Sequence, residues 1–221
     1  MNEGKKIKVL KNGPYEVTGN IPIDHLQYAP NERGFSLEYQ EMNKYSMEDM
    51  YHLCRCGMSN NKPCCDGSHT LGFDGTETAG QKTYDQMATF ISGKQVDLMD
   101  AEELCAGARF CDTKSGTWNL VETAENPDAK DIILHQTTHC PSGRLTAVTK
   151  QGERIEPKLD QEISILEDPA ARAMGPIWVK GGIEIESAEG FAYPIRNRVT
   201  LCRCGKSKNK PLCDRSHFTK G

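Results

Sequence analysis

Nothing in this 221-residue chain approaches the roughly 18 consecutive apolar positions that a membrane helix needs. Met1-Asn2-Glu3-Gly4-Lys5-Lys6 leads into no apolar leader segment, so neither membrane nor export is expected and the chain reads as soluble and cytoplasmic. Hydrophobic residues make up 37% of it and aromatic residues 7%, with a mean hydropathy of -0.62. That is lean for one large core and points to two or three small units, which bound metal can cross-link. A basic surplus is missing too: 27 Lys and Arg stand against 31 Asp and Glu, a net charge of -4, which argues against a nucleic-acid face. The local basic patch of Lys206, Lys208 and Lys210 reads as a solvated loop. There is no Gly-rich phosphate loop, no G-x-S-x-G elbow and no H-E-x-x-H helix, so an enzyme is not expected.

Cysteine, by contrast, is abundant. Ten cysteines without an export signal point to a reducing compartment and to metal ligands rather than disulfides. The run CRCGMSNNKPCCDGSH at 54–69 recurs as CRCGKSKNKPLCDRSH at 202–217. Each copy offers three cysteines and a histidine: Cys54, Cys56, Cys65 and His69, then Cys202, Cys204, Cys213 and His217. Cys54 and Cys56 are two apart, so on an extended strand their thiols leave one face together. Gly57, Asn60, Asn61 and Pro63 turn the chain, Cys65 returns, and Asp66-Gly67-Ser68 suits the start of a helix that would carry His69. Thiolates and imidazole from one short loop suit iron–sulfur clusters or zinc, and suit Mg or Ca poorly. Cys64, beside Cys65, reads as a neighbour that points away.

The pattern C-x-C-x2-S-x3-P-x-C-D-G-S-H resembles the CDGSH iron–sulfur domain, the family that includes mitoNEET. The first copy matches at every defined position, including Ser59 and Pro63; the second keeps Ser207, Pro211, Asp214 and Ser216 but has Arg215 where the family has glycine. The resemblance implies a 2Fe–2S cluster in each loop, held by three Cys and one His. It also implies that two half-units, which in single-motif members pair as strand-exchanging homodimers, pair here within one chain as a pseudo-two-fold β-cap. A monomer is then expected.

A second repeat supports two half-units. GPYEVTGNIPI at 13–23 resembles GPIWVKGGIEI at 175–185, and both alternate apolar and polar residues as half-buried strands do. Tyr51-His52-Leu53 and Val199-Thr200-Leu201 read as the strands that deliver the first cysteine of each loop. The expected fold class is therefore α+β, divided into an N-terminal half-unit at 1–82, an inserted segment at 83–150 and a C-terminal half-unit at 151–221.

In the inserted segment, Asp100-Ala101-Glu102-Glu103 resembles a capping box, predicting a helix through Leu104, Cys105 and Phe110. Thr117–Val121 reads as a strand, and Asn126-Pro127 as the start of a helix that Pro141 ends. CAGARFC at 105–111 and CPSGRL at 140–145 resemble the divergent single-cluster bacterial ferredoxins. Cys105, Cys111 and Cys140 take three ligand positions of that pattern, and Ala108 stands at the fourth. The resemblance implies a 3Fe–4S cluster, or a 4Fe–4S cluster completed by Asp112, His139 or an external ligand; the alternative is three buried thiols. His135 reads as an ordinary helical histidine.

The function expected is that of an electron carrier serving a redox partner protein. The alternatives are storage or delivery of clusters to an apo-acceptor, redox or pH sensing, and a structural zinc module.

Overall fold

A computed structural model of the chain describes residues 4–218. The first part supplies strands β1 (Lys6–Val9), β2 (Tyr15–Thr18), β3 (Ile23–Pro30), β4 (Ser36–Tyr45) and β5 (Tyr51–Leu53). The middle supplies β6 (Thr89–Ile91), β7 (Asp97–Asp100), β8 (Leu145–Val148) and β9 (Arg154–Ile155), with helices α1 (Tyr84–Met87), α2 (Thr117–Thr123) and α3 (Pro127–Thr138). The last part supplies β10 (Ile163–Asp168), β11 (Ala173–Lys180), β12 (Glu184–Glu186) and β13 (Arg198–Leu201). The architecture is mixed, strand-rich with few helices, as an α+β chain should be.

Two sheets form the body. One has the order β12-β1-β2-β5 and the other β13-β11-β10-β3-β4, so the first takes β12 from the C-terminal part and the second takes β3 and β4 from the N-terminal part. The foreign strand pairs in parallel both times: Ile7 lies opposite Ile185, and Ile163 opposite Ile23. Alternation explains the arrangement. Strand β1 buries Ile7 and Val9 while Lys6 and Lys8 face outward, and β2 buries Tyr15 and Val17. Ile7, Val9, Tyr15, Val17, Ile21, Ile23, Tyr51 and Leu53 then meet Ile163, Ile165, Ile177, Val179, Ile183, Ile185, Val199 and Leu201 in one core. The two ends of the chain contribute equally to this core, eight residues each.

The middle segment has its own sheet, β6-β7-β8-β9, and its own core of Val96, Leu98, Val121, Ile133, Leu145 and Ala147. It docks on the five-stranded sheet through Phe110 and Ala108, which pack with Leu26, Tyr28, Leu166 and Trp178. Helix α3 starts where the sequence places it: the Asn126 side chain accepts from the Ala129 amide at 2.8 Å, with Pro127 in the first turn.

Two expectations fail here. Residues Thr117–Val121 are helical, because Thr117 and Val121 are both fully buried one turn apart and the Thr117 hydroxyl donates to Gln136 Oε1 of α3; five residues are too few for periodicity to tell strand from helix. Asp100 starts no helix. It ends β7 opposite Leu145, and its carboxylate is taken by Arg144 and Trp118. Only short 3-10 turns form, at Glu102–Leu104 and Phe110–Asp112, separated by Gly107 and Arg109 in the left-handed region. Among the described residues, no helix is long and apolar enough to cross a membrane.

Candidate metal centres

The strand ending at Leu53 delivers Cys54, whose amide donates to the Pro63 carbonyl at 2.8 Å, while the Cys65 amide donates to His52 at 2.9 Å. These two bonds close the loop and bring its cysteines back beside the strand. Cys54 and Cys56 then have their Sγ atoms 3.7 Å apart, and Cys65 Sγ lies 3.3 Å from His69 Nδ1. Asp66 clamps the turn: its carboxylate accepts from the amides of Asn60 at 2.8 Å and Ser68 at 3.0 Å. Those bonds, with one from the Ser68 side chain as the largest contribution, hold its pKa well below the usual carboxylate range. Gly67 is in the left-handed region at φ 89°, and in place of the expected helix His69 rides on the short 3-10 turn Ser68–Leu71.

The second loop repeats these features. The Cys202 amide donates to Pro211 and that of Cys213 to Thr200. Cys202 and Cys204 have Sγ atoms 3.6 Å apart, Cys213 Sγ lies 3.6 Å from His217 Nδ1, and Asp214 accepts from the Lys208 and Ser216 amides. Burial pushes the Cys213 thiol well above its ordinary range, with Cys202, Asp214 and Cys105 adding to it. Burial also brings His217 down to about 4, so the ring is neutral at physiological pH. Arg215 sits at φ 64°, the left-handed conformation that Gly67 adopts at φ 89° in the first loop. A side chain there carries strain of about 1 kcal/mol that glycine avoids.

The third set also converges. Cys105, Cys111 and Cys140 line one cavity of about 440 Å³, together with Ala108, Asp112 and Trp118. Burial pushes Cys111 well above the ordinary thiol range, and Asp112, Cys140 and Cys105 add to the effect. Crowded buried thiols of this kind become thiolates readily only when a metal cation supplies the opposing charge. Of the extra ligands the sequence offers, Asp112 lines the cavity and its Oδ1 lies 3.7 Å from Cys111 Sγ. His139 does not line it: its Nε2 faces Glu38 and its Nδ1 meets the His135 carbonyl.

Comparison with known families now bears on all three sets. Residues 12–70 and 174–218 match the iron-binding zinc finger of CDGSH type, and residues 91–150 match the divergent 4Fe-4S mono-cluster family. Two CDGSH-type iron-binding regions thus flank a divergent 4Fe-4S mono-cluster region, the make-up of an iron–sulfur protein. No curated protein and no solved structure matches the chain.

The two CDGSH loops lie back to back. A Cβ on Gly57 would stand 2.7 Å from the Cys204 carbonyl oxygen, and one on Gly205 would stand 2.4 Å from that of Cys56. Residue 57 meets 204 and residue 205 meets 56, so the contact is reciprocal. The arginine between the paired cysteines is buried in each loop, where an aqueous cation would not go unaided. Arg55 donates to the carbonyls of Gly13 and Leu10, and Arg203 to those of Gly175 and Leu166. Each places a fixed positive charge in sequence between two metal-ligating candidates, and the duplicated C-R-C was a readable sign of it.

The second CDGSH loop also touches the mono-cluster segment. Arg215 and Phe218 line the Cys105/Cys111/Cys140 cavity, and a Cβ on Gly107 would collide with the Phe218 ring at 2.3 Å. Arg198, almost wholly buried on the strand leading to Cys202, donates to the carbonyls of Thr137 and Cys140 and to the carboxylate of Glu156. No sequence signal marks it. Arg198→Met is expected to cost about 2–3 kcal/mol, since three acceptors lose a charged donor in a buried setting. Thermal unfolding and iron content check it: a lowered melting temperature with iron lost first from the mono-cluster segment is the expected result, and an unchanged melting temperature would refute it.

Proposed function

We propose that the protein is an electron carrier in which each CDGSH loop holds a 2Fe–2S cluster through three cysteines and one histidine. In this reading Cys54 and Cys56 take one iron and Cys65 and His69 the other, with Cys202, Cys204, Cys213 and His217 doing the same in the second loop. The mono-cluster segment holds a 4Fe–4S or 3Fe–4S cluster on Cys105, Cys111 and Cys140, with Asp112 available as a fourth ligand. Bound clusters of this kind supply reversible one-electron oxidation and reduction. The chain is not an enzyme in this reading, and its internal strand exchange does for one polypeptide what pairing would do for two, giving a monomer with a pseudo-two-fold cap.

Several observations support it. A single zinc ion holds its ligand atoms roughly 3.3–3.8 Å from one another, given bonds of about 2.0–2.3 Å. Among the described residues, no three ligand atoms from any of the cysteine sets lie within 4.8 Å of one another. Two ligand pairs held apart suit two bridged irons better than one zinc. The buried Arg55 and Arg203 guanidiniums offset the negative charge of ligating thiolates, and neutral imidazole ligands act in the same direction, raising the potential.

One observation carries electron transfer over cluster delivery: the second loop touches both the first loop and the mono-cluster cavity. Sites in a contiguous row suit passage of charge between them, whereas a cluster donor needs one exposed centre and gains nothing from a row.

Iron and acid-labile sulfide measured anaerobically, with low-temperature EPR before and after dithionite, test the reading. About seven or eight irons per chain are expected, falling to about four when Cys105, Cys111 and Cys140 are replaced by alanine. About four irons in the parent chain would leave the middle segment without a cluster, and zinc in place of iron would overturn the redox reading. Rapid loss of clusters to an apo-ferredoxin, with slow reduction in place, would favour delivery.

A further inference from the structure

Outside the cysteine sets, one group of side chains has ligand atoms that converge. Glu38 lies on β4, the outer strand of the five-stranded sheet, and His135 and His139 lie one turn apart on α3 and at its C-terminal end. His135 Nε2 is 2.9 Å from Glu38 Oε1, and His139 Nε2 is 3.2 Å from Glu38 Oε2. Among the described residues this is the one set of three or more His, Cys, Asp or Glu side chains whose ligand atoms all lie within 4.8 Å.

The hydrogen bonding of His139 sets what its ring can do. Nδ1 is 2.8 Å from the His135 carbonyl oxygen, which can only accept, so Nδ1 carries a hydrogen. In the neutral ring Nε2 is then a bare lone pair, and it points at a carboxylate oxygen. Two acceptors face each other, an arrangement that a cation between them resolves. An imidazole whose other nitrogen donates to a backbone carbonyl is also the usual form of a metal-bound histidine.

The ring is held in place before any ligand arrives. Tyr39 stacks on it with a 10° interplanar angle and donates its hydroxyl to the His139 carbonyl at 2.6 Å. Phe110 packs on it at 5.4 Å, and the His135 ring lies 4.0 Å away. The side chains of Glu38, His135 and His139 are 62%, 40% and 25% exposed, so solvent reaches the group and water can fill remaining positions.

We propose that Glu38, His135 and His139 bind one divalent transition-metal ion of the zinc type, which clamps β4 to the end of α3. Two imidazoles and one carboxylate suit zinc and its neighbours, not magnesium or calcium. Ligands of a tetrahedral zinc lie roughly 3.3–3.5 Å apart, so the observed spacings need only small side-chain movement. The clamp joins the edge of the sheet to the residue before Cys140, yet it draws on none of the cluster ligands.

Cobalt(II) is the probe, titrated anaerobically into the iron-loaded protein. One cobalt per chain is expected, with weak d–d bands, no thiolate-to-cobalt charge transfer, and displacement by zinc. His135→Ala and Glu38→Gln, both at partly exposed positions, should weaken binding at least tenfold. Zinc at a hundredfold excess over its Kd should raise the melting temperature of the parent protein by roughly 5 °C and of neither variant. Equal cobalt affinity in parent and variants would overturn the proposal. So would a charge-transfer band, which places the ion on cysteine, or no uptake at all, which leaves a proton between Glu38 and His139. Iron content is read in the same samples, so failure of the cluster reading shows as missing iron and not as missing cobalt.

Discussion

Gly205→Ala is expected to damage the first CDGSH loop as well as its own. The new methyl would sit 2.4 Å from the Cys56 carbonyl oxygen and 2.9 Å from its carbonyl carbon. Both are backbone atoms, so no flexible tip can swing aside. Gly205 also has φ 77°, where alanine is strained by about 1–2 kcal/mol. With overpacking of about 1–3 kcal/mol added, the cost reaches roughly 2–5 kcal/mol. Part of it falls on Cys56, whose Sγ accepts from the Met58 amide at 3.4 Å. Gly57→Ala is expected to act reciprocally on Cys204, where the methyl would approach the carbonyl oxygen to 2.7 Å. Iron per chain and thermal unfolding of both variants are the measurements. Iron lost from both loops in either variant is the expected outcome, and full iron with an unchanged melting temperature would show that the loops do not press on each other.

Replacing the candidate ligands His69 and His217 is expected to change both acid stability and potential. Above pH about 6.5 the His217 ring is neutral in the folded and the unfolded chain, so it costs nothing. Burial brings its folded pKa down to about 4, with nearby Arg203 adding to the effect and Asp168 opposing it. Between those values the unfolded chain takes up a proton that the folded chain refuses, and stability falls as pH falls; below about 4 both are protonated. A metal on the same nitrogen competes with that proton in the same sense. His217→Cys should therefore slow acid loss of iron from the second loop at least tenfold between pH 6 and 4, and His69→Cys should do the same for the first. Each exchange of imidazole for thiolate should also lower the potential of its cluster, by on the order of 100–200 mV. Visible absorbance against pH and a redox titration read the two effects. No change in either would remove that histidine from the ligand set.

The chemistry of the chain was legible at short range. In each loop the strand, the turn and the Asp clamp lie within 17 residues, and equivalent local hydrogen bonds recur because the motif residues recur. Helix α3 announced itself through Asn126-Pro127 for the same reason, since a cap is a contact between near neighbours. Short segments without such a contact misled: Thr117–Val121 took its helical form from Gln136 on α3, and Asp100 was diverted from capping by Arg144.

His135 shows the limit most plainly. Along the chain it is an unremarkable helical histidine, and it becomes part of a convergent group only because Glu38, 97 positions away, comes down beside it. Arg198 is similar, since its acceptors lie on α3 and β8 and in the segment after β9. The sequence alone determined the cysteine and histidine candidates of the two repeated loops and that they are duplicated, because motif spacing is a local property. The tertiary structure decided which sites touch, which of Asp112 and His139 faces the third cavity, and where the buried cations sit, because those depend on contacts between segments remote along the chain rather than between near neighbours.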